Sequence, residues 1–517
     1  MRVRTFALWA ALGVAASTAG AVLLPASAAP ADPGRHHFHV DPVSPGGAAR
    51  AHFVDGRTLL LDARLGHASL PRDPSAGSAE TYLLATITGA ESGADGATAT
   101  RPPVHMAIVI DRSGSMAGRK LADAEAAAVG VVERMRDGDR TTVVAFDTTA
   151  RVLVPPTAID DTSRASVEGA IRGMRAGGDT CISCALETAT TELDASPGPR
   201  DELRRILLIS DGEATTGVRD VPGLRSLAAR ARDRGFSVST IGVDLAFDEK
   251  VMAAIAQESN GRHWFVPDAS ALPGVFEQEL GTLETAIASD AELTIEPQAG
   301  VAVEDVLDRS FRRESGRIVV PLGTFDARQE KTVLVRVRVP ADVDGAQPVA
   351  ALSLGFRDTA RREDVRCGGT LSVDVRSDGT AQSEMDPFVS ARLERSRTAH
   401  ALTNANDLFE HGHAEQARAT LAHRSQELER AKKVEVDEVA AMPTAARGFA
   451  RPVDTDFGEQ EAVLAQAKTG FGTVASSPAK VGGLAGPAAA AATPAPAAPA
   501  GRSAVRANQA NAVDLAF

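Results

Sequence analysis

The spacing of apolar residues changes character several times along the chain. Short β-branched and aliphatic runs at 57–65 and 82–88, bounded by turn formers, predict two strands. From 105 to about 287, short apolar runs alternate with amphipathic stretches. Residues 104–110, 141–146, 205–210 and 237–243 are rich in Val, Ile and Leu, the pattern of strands covered on both faces. Between them, 120–135, 164–174, 182–193, 224–234 and 249–259 space their apolar residues at the helical period. Strands alternating with helices of this length predict an α/β fold on a doubly wound, mostly parallel sheet.

Beyond 289 the pattern returns to strands, at 291–295, 301–306, 317–322, 331–339, 349–356 and 370–375, separated by Gly, Pro and Asp turns. Six short strands at this spacing fit a β-sandwich. With the two early strands, the α/β domain reads as an insertion into a sandwich made from both flanks; the alternative gives those two strands a small sheet of their own. Residues 386–439 predict a helical hairpin turning at Gly412. Phe388, Leu393, Leu402 and Phe409 form its first apolar stripe, and Ala417, Leu421 and Leu428 its second. The Ala-, Pro- and Gly-rich end has too little apolar bulk to predict a fold. The chain therefore divides into an export signal at 1–28, a polar lead with the first strands at 29–103, the α/β domain at 104–287, the sandwich at 288–378, the hairpin at 386–440 and an unfolded tail at 441–517.

The export signal rests on Arg2 and Arg4, an apolar stretch from 6 to 24, and the small-residue site Ala26-Ser27-Ala28. An uncleaved anchor is the rival reading, but Ser17, Thr18 and several Gly and Ala dilute the stretch, and cleavage near Ala28 is favoured. No later run of 18 apolar residues exists, so no membrane span is expected after cleavage. The reading is a Sec-type signal and a secreted or periplasmic protein. The net charge of −13, with no Lys/Arg-rich run, argues against nucleic acid as a partner. His36, His37 and His39 form a cluster that can bind metal, but in an N-terminal polar lead the reading with no specific role is favoured.

Chemistry concentrates where the strand 104–110 runs into Asp111-Arg112-Ser113-Gly114-Ser115. In a parallel sheet this is the carboxyl end of a strand, where ligand sites form. Three oxygen-bearing side chains in one turn suit a hard divalent cation such as Mg²⁺. The Asp-x-Ser-x-Ser motif resembles the metal-ion-dependent adhesion site of von Willebrand factor A domains. That resemblance implies a Thr from a second loop and an Asp from a third, matched here by Thr180 in Gly177-Gly178-Asp179-Thr180 and by Asp211 in Ser210-Asp211-Gly212. Asp179 departs from the pattern in which Thr follows the Gly pair, and is itself a candidate to approach the ion. By the resemblance, Asp111, Ser113, Ser115, Thr180 and Asp211 hold Mg²⁺ (or Mn²⁺ or Ca²⁺), and one open coordination position accepts a carboxylate of a protein partner. The layout also resembles bacterial exported proteins similar to inter-alpha-trypsin inhibitor heavy chains.

Enzyme readings find little support. Ser115 stands in no Gly-x-Ser-x-Gly elbow, and neither His105 nor His263 sits in a recognisable base motif. A cation-assisted hydrolase would need Glu213 or Asp147 as its base. Cys181 and Cys184, directly after Thr180, predict a local disulfide in an exported protein, with pairing of either to Cys367 as the alternative. The expectation is a non-enzymatic, metal-dependent protein-binding or adhesion protein; the alternatives are an envelope scaffold with a purely structural metal, and the hydrolase.

Overall fold

A computed structural model describes residues 49–54, 58–91, 101–244, 247–377, 383–442, 451–472 and 499–516. The expected export signal and the three clustered histidines lie outside the described residues.

The first strands are β1 (Arg50–Val54), β2 (Leu59–Leu65), β3 (Ser69–Pro71) and β4 (Ser78–Gly89). An α/β unit follows: β5 (Val104–Asp111), α1 (Arg119–Arg134), β6 (Arg140–Phe146), β7 (Ala150–Ala158), α2 (Asp161–Arg172), α3 (Ile182–Ala195) and β8 (Leu203–Ser210). It continues with α4 (Val221–Asp233), β9 (Ser237–Val243), α5 (Glu249–Glu258), β10 (His263–Val266) and α6 (Leu272–Glu284). Its sheet runs β10-β9-β8-β5-β6-β7, parallel except for β7, which pairs antiparallel to β6.

Every residue of the central strand β5 is buried. Met106, Ile108 and Ile110 pack toward α1, α2 and α6, while Ala107 and Val109 pack toward α3, α4 and α5. This two-sided burial is why β5 carries no polar face, and each large side chain there contributes about 1.5–3 kcal/mol. The doubly wound fold is as the alternation predicts. Its edges were not legible: β7 carries Pro155 and Pro156, tolerated because it is an edge strand, and β10 has only four residues.

The chain then forms β11 (Ala286–Pro297), β12 (Ala302–Leu307), β13 (Arg312–Glu314), β14 (Arg317–Asp326), β15 (Glu330–Pro340), β16 (Gly345–Asp358) and β17 (Glu363–Arg376). One sheet is β1-β2-β4-β15-β12, the other β13-β14-β11-β16-β17-β3. Both flanks contribute to each: β4 pairs with β15 from Ser78 to Thr88, and β3 pairs with β17. The early strands therefore form no sheet of their own. Leu61, Leu83, Ile87, Val335 and Val337 face Leu293, Ile295, Leu354 and Val373 in one shared core.

Four helices complete the described chain: α7 (Pro387–Glu410), α8 (Ala414–Ala441), α9 (Val453–Gly472) and α10 (Pro499–Ala516). They pack on the outer face of the first sheet, where Leu84 and Leu334 join their core. Here the expectation of an unfolded tail at 441–517 is corrected for 453–472 and 499–516, which are helical. Val453, Phe457, Leu464 and Phe471 recur at helical spacing along α9 and are buried, with Phe471 stacked on Phe409 at 4.3 Å. The low apolar content of α10 is offset by contacts that only the folded neighbours supply. Asn406 donates to the Val505 carbonyl (3.1 Å), Arg392 to that of Ala516 (2.9 Å), and Arg506 to that of Phe247 (2.9 Å). No helix among the described residues is long and apolar enough to cross a membrane.

Candidate metal centre

Three loops meet at the carboxyl edge of the parallel sheet. The first leaves β5 at Asp111, the second precedes α3 and the third follows β8. Backbone hydrogen bonds join them: Gly114 N–H to the Gly178 carbonyl (3.0 Å), Gly177 N–H to that of Arg112 (2.8 Å), and Thr215 N–H to that of Thr180 (2.9 Å). Gly178 adopts φ +81°, a conformation that favours glycine, as the second loop turns toward the first.

Asp111, Ser113, Thr180 and Asp211 are buried, whereas Gly114 and Ser115 are exposed at the rim. The Ser113 and Ser115 hydroxyls lie 3.1 Å apart, and Ser115 donates to Asp211 Oδ1 at 2.7 Å. A Cβ on Gly212 would sit 3.5 Å from Thr180 Oγ1 and 3.6 Å from Ser115 Oγ, so both hydroxyls flank the same glycine. Asp111 Oδ1 accepts the Ser113 N–H (2.7 Å), and Oδ2 accepts the Ser210 hydroxyl (2.5 Å). Burial pushes the Asp111 carboxyl up to about 6, with the charge of Asp211 adding to it and the bonds from Ser210 and Ser113 opposing it.

Adjacent oxygens of an Mg²⁺ octahedron, at ~2.1 Å from the ion, stand about 3.0 Å apart. The spacings of 3.1 and 2.7 Å between Ser113, Ser115 and Asp211 are hydrogen-bond contacts close to that edge, and the donors are all oxygens, the chemistry a hard cation takes. The set is two carboxylates and three hydroxyls, and among the described residues no group of three or more His, Cys, Asp or Glu could hold a metal. Asp179 is exposed beside this cluster, with its N–H bonded to the Thr148 hydroxyl (3.0 Å).

Residues 105–278 match the family model of the von Willebrand factor type A domain, about a third of the chain. This stretch is a von Willebrand factor A domain. The uncharacterized protein sll0103 of Synechocystis is 24% identical over 306 residues, 57% of this chain and 70% of that protein. Human inter-alpha-trypsin inhibitor heavy chain H4 is 27% identical over 224 residues, 41% of this chain but only 23% of its own length. A solved structure of a von Willebrand factor type A protein from Catenulispora acidiphila covers 80% of this chain and 98% of its own, with TM-score 0.60 at 18% identity. That likeness carries the fold. Domains of this family commonly mediate protein–protein interactions, many through a divalent metal.

Several polar residues at the site escaped the sequence reading. Ser210 holds Asp111 but reads in the sequence only as the last residue of an apolar strand. Lys120, at the start of α1, donates to Asp211 Oδ2 at 2.8 Å and pairs with Asp244 Oδ2 at 2.8 Å. Partial burial alone would lower its amine; the bonds and charges of the two carboxylates outweigh that and raise it. No spacing rule links 120 to 211 and 244. A disulfide joins Cys181 to Cys184 at the start of α3, directly after Thr180. Cys367 lies buried on β17.

Of the groups named for hydrolysis, Asp147 and Glu213 border the cluster, Asp147 against Gly178 and Glu213 two residues beyond Asp211. Asp147 is paired with Arg112 at 2.6 Å, and Glu213 is exposed. His105, on β5, bonds Thr142 of β6 and lies six residues before Asp111, thus about 20 Å along the strand. His263 bonds Thr240 at 2.9 Å. Burial lowers His105 to about 3 and His263 to about 4, leaving both neutral.

Proposed function

We propose that the protein binds a protein partner through a divalent cation, Mg²⁺ by preference, held by Asp111, Ser113, Ser115, Thr180 and Asp211. The supporting observation is the donor set. The Lys120 ammonium already takes up part of the Asp211 charge and the other three donors are neutral hydroxyls, so a dication is incompletely compensated, and exposed Ser115 and Gly114 keep one side of it open. A carboxylate from a partner completes the shell there, as a Lewis-acid grip strengthened when the interface excludes water. The ion supplies attraction; the chain's own loops fix its position and set specificity. Export by the signal at 1–28, giving a secreted or periplasmic adhesion or envelope-assembly protein, belongs to the same reading.

The test captures partners from an envelope extract on immobilised mature protein in Mg²⁺, in EDTA, and in EDTA followed by excess Mg²⁺. Asp111→Ala serves as control. Partners retained by wild type in Mg²⁺, lost in EDTA and restored by Mg²⁺ support the reading. Retention indifferent to both EDTA and Asp111→Ala refutes it. A metal that raises the thermal midpoint without changing retention would make the ion purely structural.

A further inference from the structure

The two carboxylates of the cluster are each held through both oxygens by neighbouring donors. Asp111 uses both, toward the Ser113 N–H and the Ser210 hydroxyl. Asp211 offers Oδ1 to the hydroxyl side of the cluster, through Ser115, while Oδ2 is held by the Lys120 ammonium. Lys120 is in turn anchored from the other side by Asp244, so the lock on Oδ2 is braced by a second ion pair. Asp211 is fully buried, and its carboxylate cannot swing to present both oxygens without stripping a charge-assisted bond from a partly buried amine.

We propose that Lys120 is the specificity-determining residue of this cation site, restricting Asp211 to single-oxygen coordination and so selecting a small octahedral cation over Ca²⁺. The inference rests on the metal-dependent reading above. Mg²⁺ demands six oxygens in near-ideal octahedral array, which single-oxygen ligands supply. Ca²⁺ takes six to eight oxygens at about 2.3–2.6 Å, often through a bidentate carboxylate. With Lys120 in place no bidentate carboxylate is on offer. With Lys120 shortened or neutralised, Asp211 can turn its second oxygen inward.

A plain charge effect makes a different prediction. Lys120 also places a positive charge beside the site, and removing it strengthens binding of any dication. Mg²⁺ and Ca²⁺ carry the same charge, so that effect alone raises both affinities by one factor and leaves their ratio unchanged. The ratio therefore isolates the geometric role.

The experiment titrates MgCl₂ and CaCl₂ calorimetrically into the full chain stripped with EDTA, for wild type, Lys120→Gln, Lys120→Arg and Asp111→Ala. Circular dichroism and the thermal midpoint check that each variant folds, and Lys120 is exposed enough to tolerate exchange. Wild type is expected to prefer Mg²⁺. Lys120→Gln should cut the Mg²⁺-to-Ca²⁺ affinity ratio at least tenfold, and Lys120→Arg, which keeps a charged donor, should largely retain it. A ratio unchanged in Lys120→Gln, with both affinities rising together, overturns the inference while the site stands. Wild type that binds neither ion, or binds both as Asp111→Ala does, overturns the metal-site reading itself.

Discussion

Replacing Arg506 by alanine should loosen the C-terminal helix from the von Willebrand factor A domain, by an amount that depends on pH. Arg506 is buried, donates to the Phe247 carbonyl at 2.9 Å, pairs with Glu249 at 3.3 Å and lies over the Phe247 ring at 5.3 Å. The charged hydrogen bond and the ring contact together are worth about 2 kcal/mol at any pH. The ion pair adds a pH-dependent part. Burial pushes the Glu249 carboxyl from 4.5 up to about 7, with Arg506 opposing. A carboxyl raised in the folded state favours folding at low pH, and that advantage is lost between pH 4.5 and 7 as pH rises. Without Arg506 the folded value rises further, so the loss continues above 7 at up to about 1.4 kcal/mol per pH unit. The defect should therefore be about 2 kcal/mol at pH 6 and about 3 kcal/mol at pH 8. Native-state hydrogen exchange of 499–516, corrected for intrinsic rates, reads the opening free energy of α10 directly. Arg506→Ala with Glu249→Gln should retain the pH-independent part only. Equal defects at both pH values, or unchanged exchange in α10, would refute this account of how the helix is held.

Three further outcomes follow from the same kind of accounting. Burial, with the charges of Glu438, Glu394 and Asp386 adding and Ser390 opposing, pushes Glu435 up to about 7. Its contribution to stability is present below pH 4.5 and lost as pH rises through 7, so Glu435→Gln should stabilise by about 1–2 kcal/mol at pH 8 after solvent screening, and little at pH 4.5, in urea melts. Gly178→Ala places a Cβ 2.9 Å from Thr148 Oγ1 at φ +81°, and should cost about 1–2 kcal/mol while weakening Mg²⁺ binding through the displaced Thr180 loop, measured by thermal melts and calorimetry. Changing Cys181 and Cys184 together to Ser opens a loop closed across a separation of three residues, and should lower stability by about 2 kcal/mol in denaturant melts under oxidising conditions.

The legible part of the site was the part carried by local order. Asp111, Ser113 and Ser115 share one turn, and Asp211 follows an apolar strand, so the sequence alone assigns each to the end of a strand. Thr180 rested on resemblance, since Asp179 interrupts the usual spacing; its position beside Gly212 and Ser115 is a fact of three loops tied by backbone bonds. Lys120, Asp244 and Ser210 could not be read at all. Each looks like an ordinary helix, turn or strand residue until strands β5, β8 and β9 lie side by side.

By itself the sequence determined the periods: two-sided apolar strands alternating with amphipathic helices for the α/β domain, and short punctuated strands for the sandwich. Those patterns are local because burial of a strand or helix face dictates its residues one by one. Tertiary structure decided what local preference leaves undetermined. It completed the sandwich from strands separated by the whole α/β insertion. It also ordered α9 and α10, where composition predicted an unfolded tail, because their few apolar residues and their polar clamps gain energy only against surfaces supplied by α7, α8 and the α/β domain. Helical stability in such segments comes chiefly from packing, and packing partners are not written within the segment.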